Sequence, residues 1–157
     1  MNEQELRQWL AVYGPGLEAE IALLLQLKRL ALAQRDASAE REMAALPHFA
    51  QERDRILAAL VTIEHELRPA RLVLASHRDE ASALEGFSQI SDLHRLAAEL
   101  VATIVHSDQD TLKALQDAEG ARRFAAQTLG TGGDTVAAYR RVVAPPVTGA
   151  GLVDRRG

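Results

Sequence analysis

Between Phe49 and Leu84, apolar residues recur at alternating steps of four and three positions: Phe49, Arg53, Ile56, Leu60, Ile63, Leu67, Ala70, Leu74, His77, Ala81 and Leu84. Nine of the eleven are apolar, and only helix packing requires that spacing. A strand would need a period of two, so this stretch commits the chain to a long helix with one buried seam. A continuous helix there would be about 50 Å long at ~1.5 Å per residue. Pro69 falls inside it and predicts a kink near Glu66, because proline removes one i→i−4 hydrogen bond. The seam keeps its phase across Pro69, which favours one kinked helix over two unrelated ones.

The flanking sequence predicts more helix. Leu6, Trp9, Leu10 and Tyr13 give residues 3–12 one apolar face. Gly14-Pro15-Gly16 is expected to break or kink that helix. A second helical stretch, 17–35, carries a stripe of Leu17, Ile21, Leu24, Lys28 and Ala31, widened by Leu23, Leu27 and Leu30. So broad a face needs neighbours on more than one side. Residues 36–39 read as a polar joint, with Ser38 capping a short turn that Pro47 ends. Gly86 closes the long seam, and Ser88 or Ser91 is the expected cap of a third long helix running to about Leu129. The fold class expected is therefore all-α: a bundle of long antiparallel amphipathic helices over residues 1–129, coiled-coil-like in its packing. Residues 130–157 are expected to form a flexible tail. Gly130 to Gly133 is its joint, Asp134 caps a short helix over 135–143, and Pro145-Pro146 stops it.

Composition narrows the function. The 157 residues include no cysteine, which excludes disulfides, thiolate zinc sites and a thiol nucleophile. Aromatics are 4% of the chain, and strong helix formers dominate. The N-terminal MNEQELRQWL lacks the basic flank and apolar run of a secretory signal. The most apolar stretch, 21–32, is short and interrupted by Gln26, Lys28 and Arg29, so membrane insertion is not expected and a cytoplasmic location is. Charge is uneven. Residues 119–157 hold six arginines against three acids, a net of +3, so the first 118 residues carry −7 of the overall −4. An acidic body with a basic tail bears on partners rather than fold.

No constellation points to catalysis. Glu-x-x-His, the usual helical di-metal motif, is absent, and His48/Glu52 and His106/Asp110 read as surface pairs; neither a metal nor a cofactor is expected. No Gly-x-Ser-x-Gly occurs, and Thr131-Gly132-Gly133 lacks the lysine and spacing of a phosphate loop. The arginine pairs lack interleaved aromatics, so nucleic acid is not an expected partner. His77 is the one seam histidine, readable as a pH sensor or as an end-of-bundle residue. Tyr139 shares one helical face with Val136 and Val143, beside Arg140 and Arg141. It either tucks its segment onto the bundle or anchors an exposed peptide on a partner.

Two stretches carry a family resemblance. FAQERDRILAAL resembles the acidic and basic helix start before an apolar run in bacterial flagellar export chaperones of the FlgN type. HSDQDTLKALQDAEGARRFAAQTL, followed by TVAAYRRV, resembles their last long helix and tail, and the pattern extends over residues 17–143. The resemblance implies a protein without catalytic chemistry. Such a chaperone binds the C-terminal helix of hook-associated proteins and delivers them to the export gate, with a C-terminal tyrosine taking part in gate docking. Tyr139 is the matching residue, with Arg140 and Arg141 beside it. A substrate helix would lie against an incompletely satisfied stripe, for which Val101, Val105, Leu112 and Leu115 are the candidates; the same four can equally be ordinary core. The competing expectation is a structural scaffold or adaptor that self-associates, its 49–84 seam pairing with its own copy as a homodimer.

Overall fold

Asn2 begins the first helix with a capping box: its side chain accepts from the Glu5 amide at 2.8 Å, and its own amide donates to the Glu5 carboxylate at 2.9 Å. The structure is a computed structural model that describes residues 1–118. The expected helix over 119–129, the glycine joint, the 135–143 segment and the tail lie outside the described residues. About 90% of what is described is helical, with no strand. Three long helices, α1 (Glu3–Ala39), α2 (Leu46–Ser76) and α4 (Phe87–Gln116), are joined by a 3-10 turn at Met43–Ala45 and a short α3 (Arg78–Ser82).

α1 packs along both α2 and α4. It runs antiparallel to α2, since Tyr13 meets Arg71 near one end and Gln34 meets Arg53 near the other. α4 returns parallel to α1, with His94 beside Tyr13 and Asp108 on Arg53. The core follows the seams. Ile21, Leu24 and Leu27 of α1 meet Ile56 and Leu60 of α2 and Ala97, Leu100 and Ile104 of α4 in the middle. Tyr13, Leu17, Leu67, Leu74 and Ile90 fill one end, and Ala37, Leu46 and Leu115 the other. Each fully buried leucine contributes about 2–3 kcal/mol. The 49–84 seam therefore packs within the chain, through Leu74 and on to Ala81, which is fully buried, and Leu84, but the helix expected to carry it is interrupted at His77, between α2 and α3. Helix α2 then ends at His77, whose half-buried ring pairs with Glu80 at 3.0 Å.

Neither Gly14-Pro15-Gly16 nor the expected joint at 36–39 interrupts α1. α1 is one 37-residue helix straight through Gly14-Pro15-Gly16. Pro15 sits on the exposed face, and Ala11, whose carbonyl loses its amide partner, is exposed as well. Gly14 has no Cβ to meet the proline ring, so an α conformation before proline is tolerated. Packing of Tyr13 and Leu17, both fully buried, offsets the roughly 3 kcal/mol that an interior proline costs. α2 runs through Pro69 as one helix, as its seam predicts, with Pro69 and His65 both exposed.

The caps also differ from expectation. Ser38 caps nothing: it is buried inside α1 and donates to the Gln34 carbonyl at 2.7 Å. α1 ends instead with the Glu42 amide on the Ala37 carbonyl at 2.8 Å and Arg41 at φ 58°, a left-handed position usually held by glycine. Pro47 opens α2 rather than ending a turn, because a first-turn residue needs no amide hydrogen. Gly86, at φ 91°, is the N-cap of α4, and Ser88 and Ser91 lie inside that helix. By length and composition α1 is apolar enough to cross a membrane, unlike the 21–32 stretch taken alone. Here its apolar side is covered by α2 and α4.

Gly16 sets the spacing of α1 against α2. A Cβ there would lie 2.2 Å from Leu67 Cδ2 and 2.9 Å from its Cγ. Helix propensity favours alanine over glycine by about 1 kcal/mol, but overpacking costs about 1–3 kcal/mol. Gly16→Val is expected to destabilise the chain by about 2 kcal/mol in urea unfolding. Leu67→Ala should cost less in the Gly16→Val background than in the wild type, and strict additivity of the two changes would contradict a steric contact.

Candidate functional site

Two polar layers interrupt the core, and each draws a side chain from all three long helices. In the first, Gln34 of α1, Arg53 of α2 and Asp108 of α4 converge. Arg53 Nη1 donates to Asp108 Oδ1 at 2.7 Å and to Gln34 Oε1 at 3.2 Å, and Nη2 pairs with Asp108 Oδ2. Arg53 is 1% exposed, so this bidentate pair sits in low dielectric.

The second layer holds Tyr13 and Glu20 of α1, Glu64 and Arg71 of α2, and His94 of α4. Arg71 Nε donates to the Tyr13 oxygen at 3.2 Å, leaving the tyrosine hydrogen for His94 Nε2 at 3.1 Å. That direction assigns the His94 proton to Nδ1. Burial, helped by the Arg71 charge, pushes His94 down to about 4, so it is neutral near pH 7. Burial pushes Tyr13 upward too. Arg71 lies 3.6 Å from both Glu20 and Glu64, beyond hydrogen-bond reach. Neither Glu20 oxygen finds a hydrogen-bond partner, and burial raises its pKa to about 7, against the pull of Arg71 and with a smaller push from Glu64.

These titrating groups are sealed inside the bundle, where a substrate would have to displace core. Among the described residues, no group of three or more histidines, aspartates or glutamates is placed to hold a metal. The surface offers two other features. A groove of about 710 Å³ runs between α1 and α4, floored by Leu10, Gly14, Ile90 and Leu93. Further along α4, Val101 and Val105 are half-buried and Leu112 is 38% exposed. Leu115, grouped with them from the sequence, is fully buried against Ala37 and Leu46. It is core, because its position on α4 turns it into the cluster closed by the α1–α2 connection. Tyr139, Arg140 and Arg141 lie outside the described residues.

Comparison with known families, curated proteins and solved structures finds no match. The architecture thus stands on its own geometry: a polar-layered helical frame, with a groove between α1 and α4, a partly exposed stripe on α4, and exposed Val61 and Leu72 on α2.

Sequence reading named Arg53 as an exception in the seam but missed Glu20, Gln34, Arg71 and His94. The signal was present on α1. Leu6, Leu10, Tyr13, Leu17, Glu20, Leu24, Leu27, Ala31, Gln34 and Ser38 repeat at steps of four and three, and all are buried. Polar residues in such a register are candidates for interior layers.

Proposed function

We propose that this chain is a non-enzymatic, cytoplasmic export chaperone of the FlgN type. It binds the C-terminal helix of flagellar hook-associated proteins and delivers them to the export gate. The observation that carries the reading is the incompletely covered stripe of α4, with Val101 and Val105 half-buried and Leu112 exposed beside a fully packed core. An amphipathic helix laid along such a stripe buries its own apolar face on positions spaced by three and four. The family resemblance of residues 49–60 and 106–142 supports the choice of partner. The enclosed titratable groups and the composition fit a protein that binds rather than catalyses.

Leu112 and Val105 give the test. Leu112→Glu with Val105→Glu should weaken binding of a hook-associated protein's C-terminal helical peptide by about tenfold or more in calorimetric titration. Because Leu112 is exposed, Leu112→Glu alone should leave the unfolding midpoint nearly unchanged. Unaltered affinity in the double variant would remove this stripe as the binding face.

A self-associating scaffold is the second reading, and α2 supplies its observation. Val61 is 49% and Leu72 58% exposed, eleven positions apart and so on one outer face of the helix. Sedimentation equilibrium distinguishes it: a dimer dissociated by Val61→Lys with Leu72→Lys would favour the scaffold.

A further inference from the structure

The bond between Arg53 and Asp108 fixes how α2 and α4 face one another, and its neighbours extend the contact into a cleft. The two helices run antiparallel, so a turn forward along α2 matches a turn back along α4. One turn on from Arg53, Leu57 stands level with Val105, and a further turn brings Val61 level with Val101. In the other direction Phe49 stands level with Leu112. Three of the four levels are therefore apolar on both walls, yet no side chain in them is fully buried. Phe49, Leu57, Val101 and Val105 are half-buried, Val61 is 49% exposed and Leu112 38%. α1 covers the opposite side, where Ile56, Leu60, Ala97 and Ile104 close the core. The open side is the fourth corner of a four-helix arrangement.

Asp108 adds a polar requirement. Arg53 is 1% exposed, but its carboxylate partner is 18% exposed and shares a face of α4 with Val105 and Leu112, three and four positions away. Each Asp108 oxygen accepts one bond from Arg53 and keeps the capacity for another. The polar level thus offers the cleft an acceptor and no donor. We propose that the α2–α4 cleft seats one amphipathic helix of a partner, about three turns long, with apolar residues spaced by three and four and one hydrogen-bond donor opposite Asp108. Phe49 to Val61 sets that length, about 18 Å at ~1.5 Å per residue. Seating there rests on the chaperone reading for the partner's identity, and adds a second wall, on α2, to the α4 stripe.

The absence of cysteine makes alkylation footprinting clean in the full chain. Four single variants each place one thiol at an exposed apolar position: Val61→Cys and Leu112→Cys on the two walls, Leu72→Cys beyond the cleft on α2, and Leu96→Cys in the α1–α4 groove. The probe is the C-terminal helical peptide of a hook-associated protein. Seating in the cleft predicts that the peptide slows alkylation at positions 61 and 112 by about tenfold, as roughly nine-tenths occupancy allows, and leaves positions 72 and 96 unchanged. Alanine scanning of the peptide should find one polar donor, with apolar neighbours three or four positions to either side, whose loss weakens binding about tenfold. A scan without such a position overturns the polar level. Protection at position 112 without position 61 overturns the cleft and leaves the α4 stripe as the site. Protection at position 72 or 96 puts the peptide elsewhere, and a peptide that does not bind overturns the chaperone reading together with the cleft. Slow alkylation at positions 61 and 112 without peptide also overturns the proposal: the cleft is then filled by a second copy if the rates depend on protein concentration, and by the chain itself if they do not.

Discussion

Asp108→Ala should destabilise the chain by about 3–5 kcal/mol, because it leaves Arg53 charged and buried with only Gln34 as a partner. Arg53 is 1% exposed and its partner carboxylate 18%, so solvent screens the pair little. The exposed Arg7–Glu3 pair is the contrast: Arg7→Ala should change stability by less than about 1 kcal/mol. Replacing both buried partners, Arg53→Met with Asp108→Leu, should return most of the lost stability, since the desolvation cost of two ions disappears with them. The layer's use lies in register. It joins one residue of each long helix at one level, and a purely apolar replacement allows the helices to slide by a turn. Urea unfolding of the three variants checks this ordering. A double variant as unstable as Asp108→Ala would show that the layer supplies net stability rather than specificity.

Glu20→Gln is expected to stabilise the chain at pH 8 by on the order of 2–3 kcal/mol and to change it little at pH 5. The folded chain holds the Glu20 proton up to about pH 7, whereas an unfolded glutamate releases it near 4.5. Between those values the folded state binds more protons than the unfolded state, so stability falls as pH rises. His94 acts in the opposite direction. Folding lowers it from 6.5 to about 4, so the unfolded state binds more protons there and stability rises with pH across that range. In the wild type the two slopes oppose one another between about pH 4.5 and 6.5, and the stability profile is correspondingly flat. Glu20→Gln leaves the rising slope of His94, and His94→Gln leaves the falling slope of Glu20. Chemical denaturation from pH 4 to pH 8 reads both. A steep wild-type profile, or a Glu20→Gln variant no more stable at pH 8 than at pH 5 relative to wild type, would contradict this account of the second layer.

The fold class was legible because the 49–84 seam leaves no alternative to helix packing, and most of its positions are buried as spaced. Continuity of the seam across Pro69 carried the right inference for α2. The same criterion, applied to Leu10, Tyr13, Leu17 and Glu20, joins α1 across Pro15, whereas the Gly-Pro-Gly triplet suggests a break. Local propensity lost there to tertiary packing, and the two prolines are tolerated because both they and the residues four before them face outward. With α1 read as two pieces, Lys28 took a place on the stripe that the structure leaves half-exposed, and Glu20 and Gln34 passed unnoticed. Capping misled for a related reason. Serine near a helix start is a common cap, but Gly86 already supplies the turn into α4, and Ser38 is placed by the packing of α1. Of the four α4 candidates, spacing alone could not separate Leu115 from Leu112. Three residues apart, they occupy adjacent faces, and only the position of the α1–α2 connection buries one and exposes the other.

The most direct test of the chaperone reading is a pull-down from a flagellated bacterial lysate, comparing the full chain with one ending at Leu129 and identifying captured proteins by mass spectrometry. The reading predicts that both forms recover hook-associated proteins and that only the full chain recovers an export-gate component. Recovery of nothing but further copies of the same chain would contradict it and leave a self-associating helical scaffold in its place.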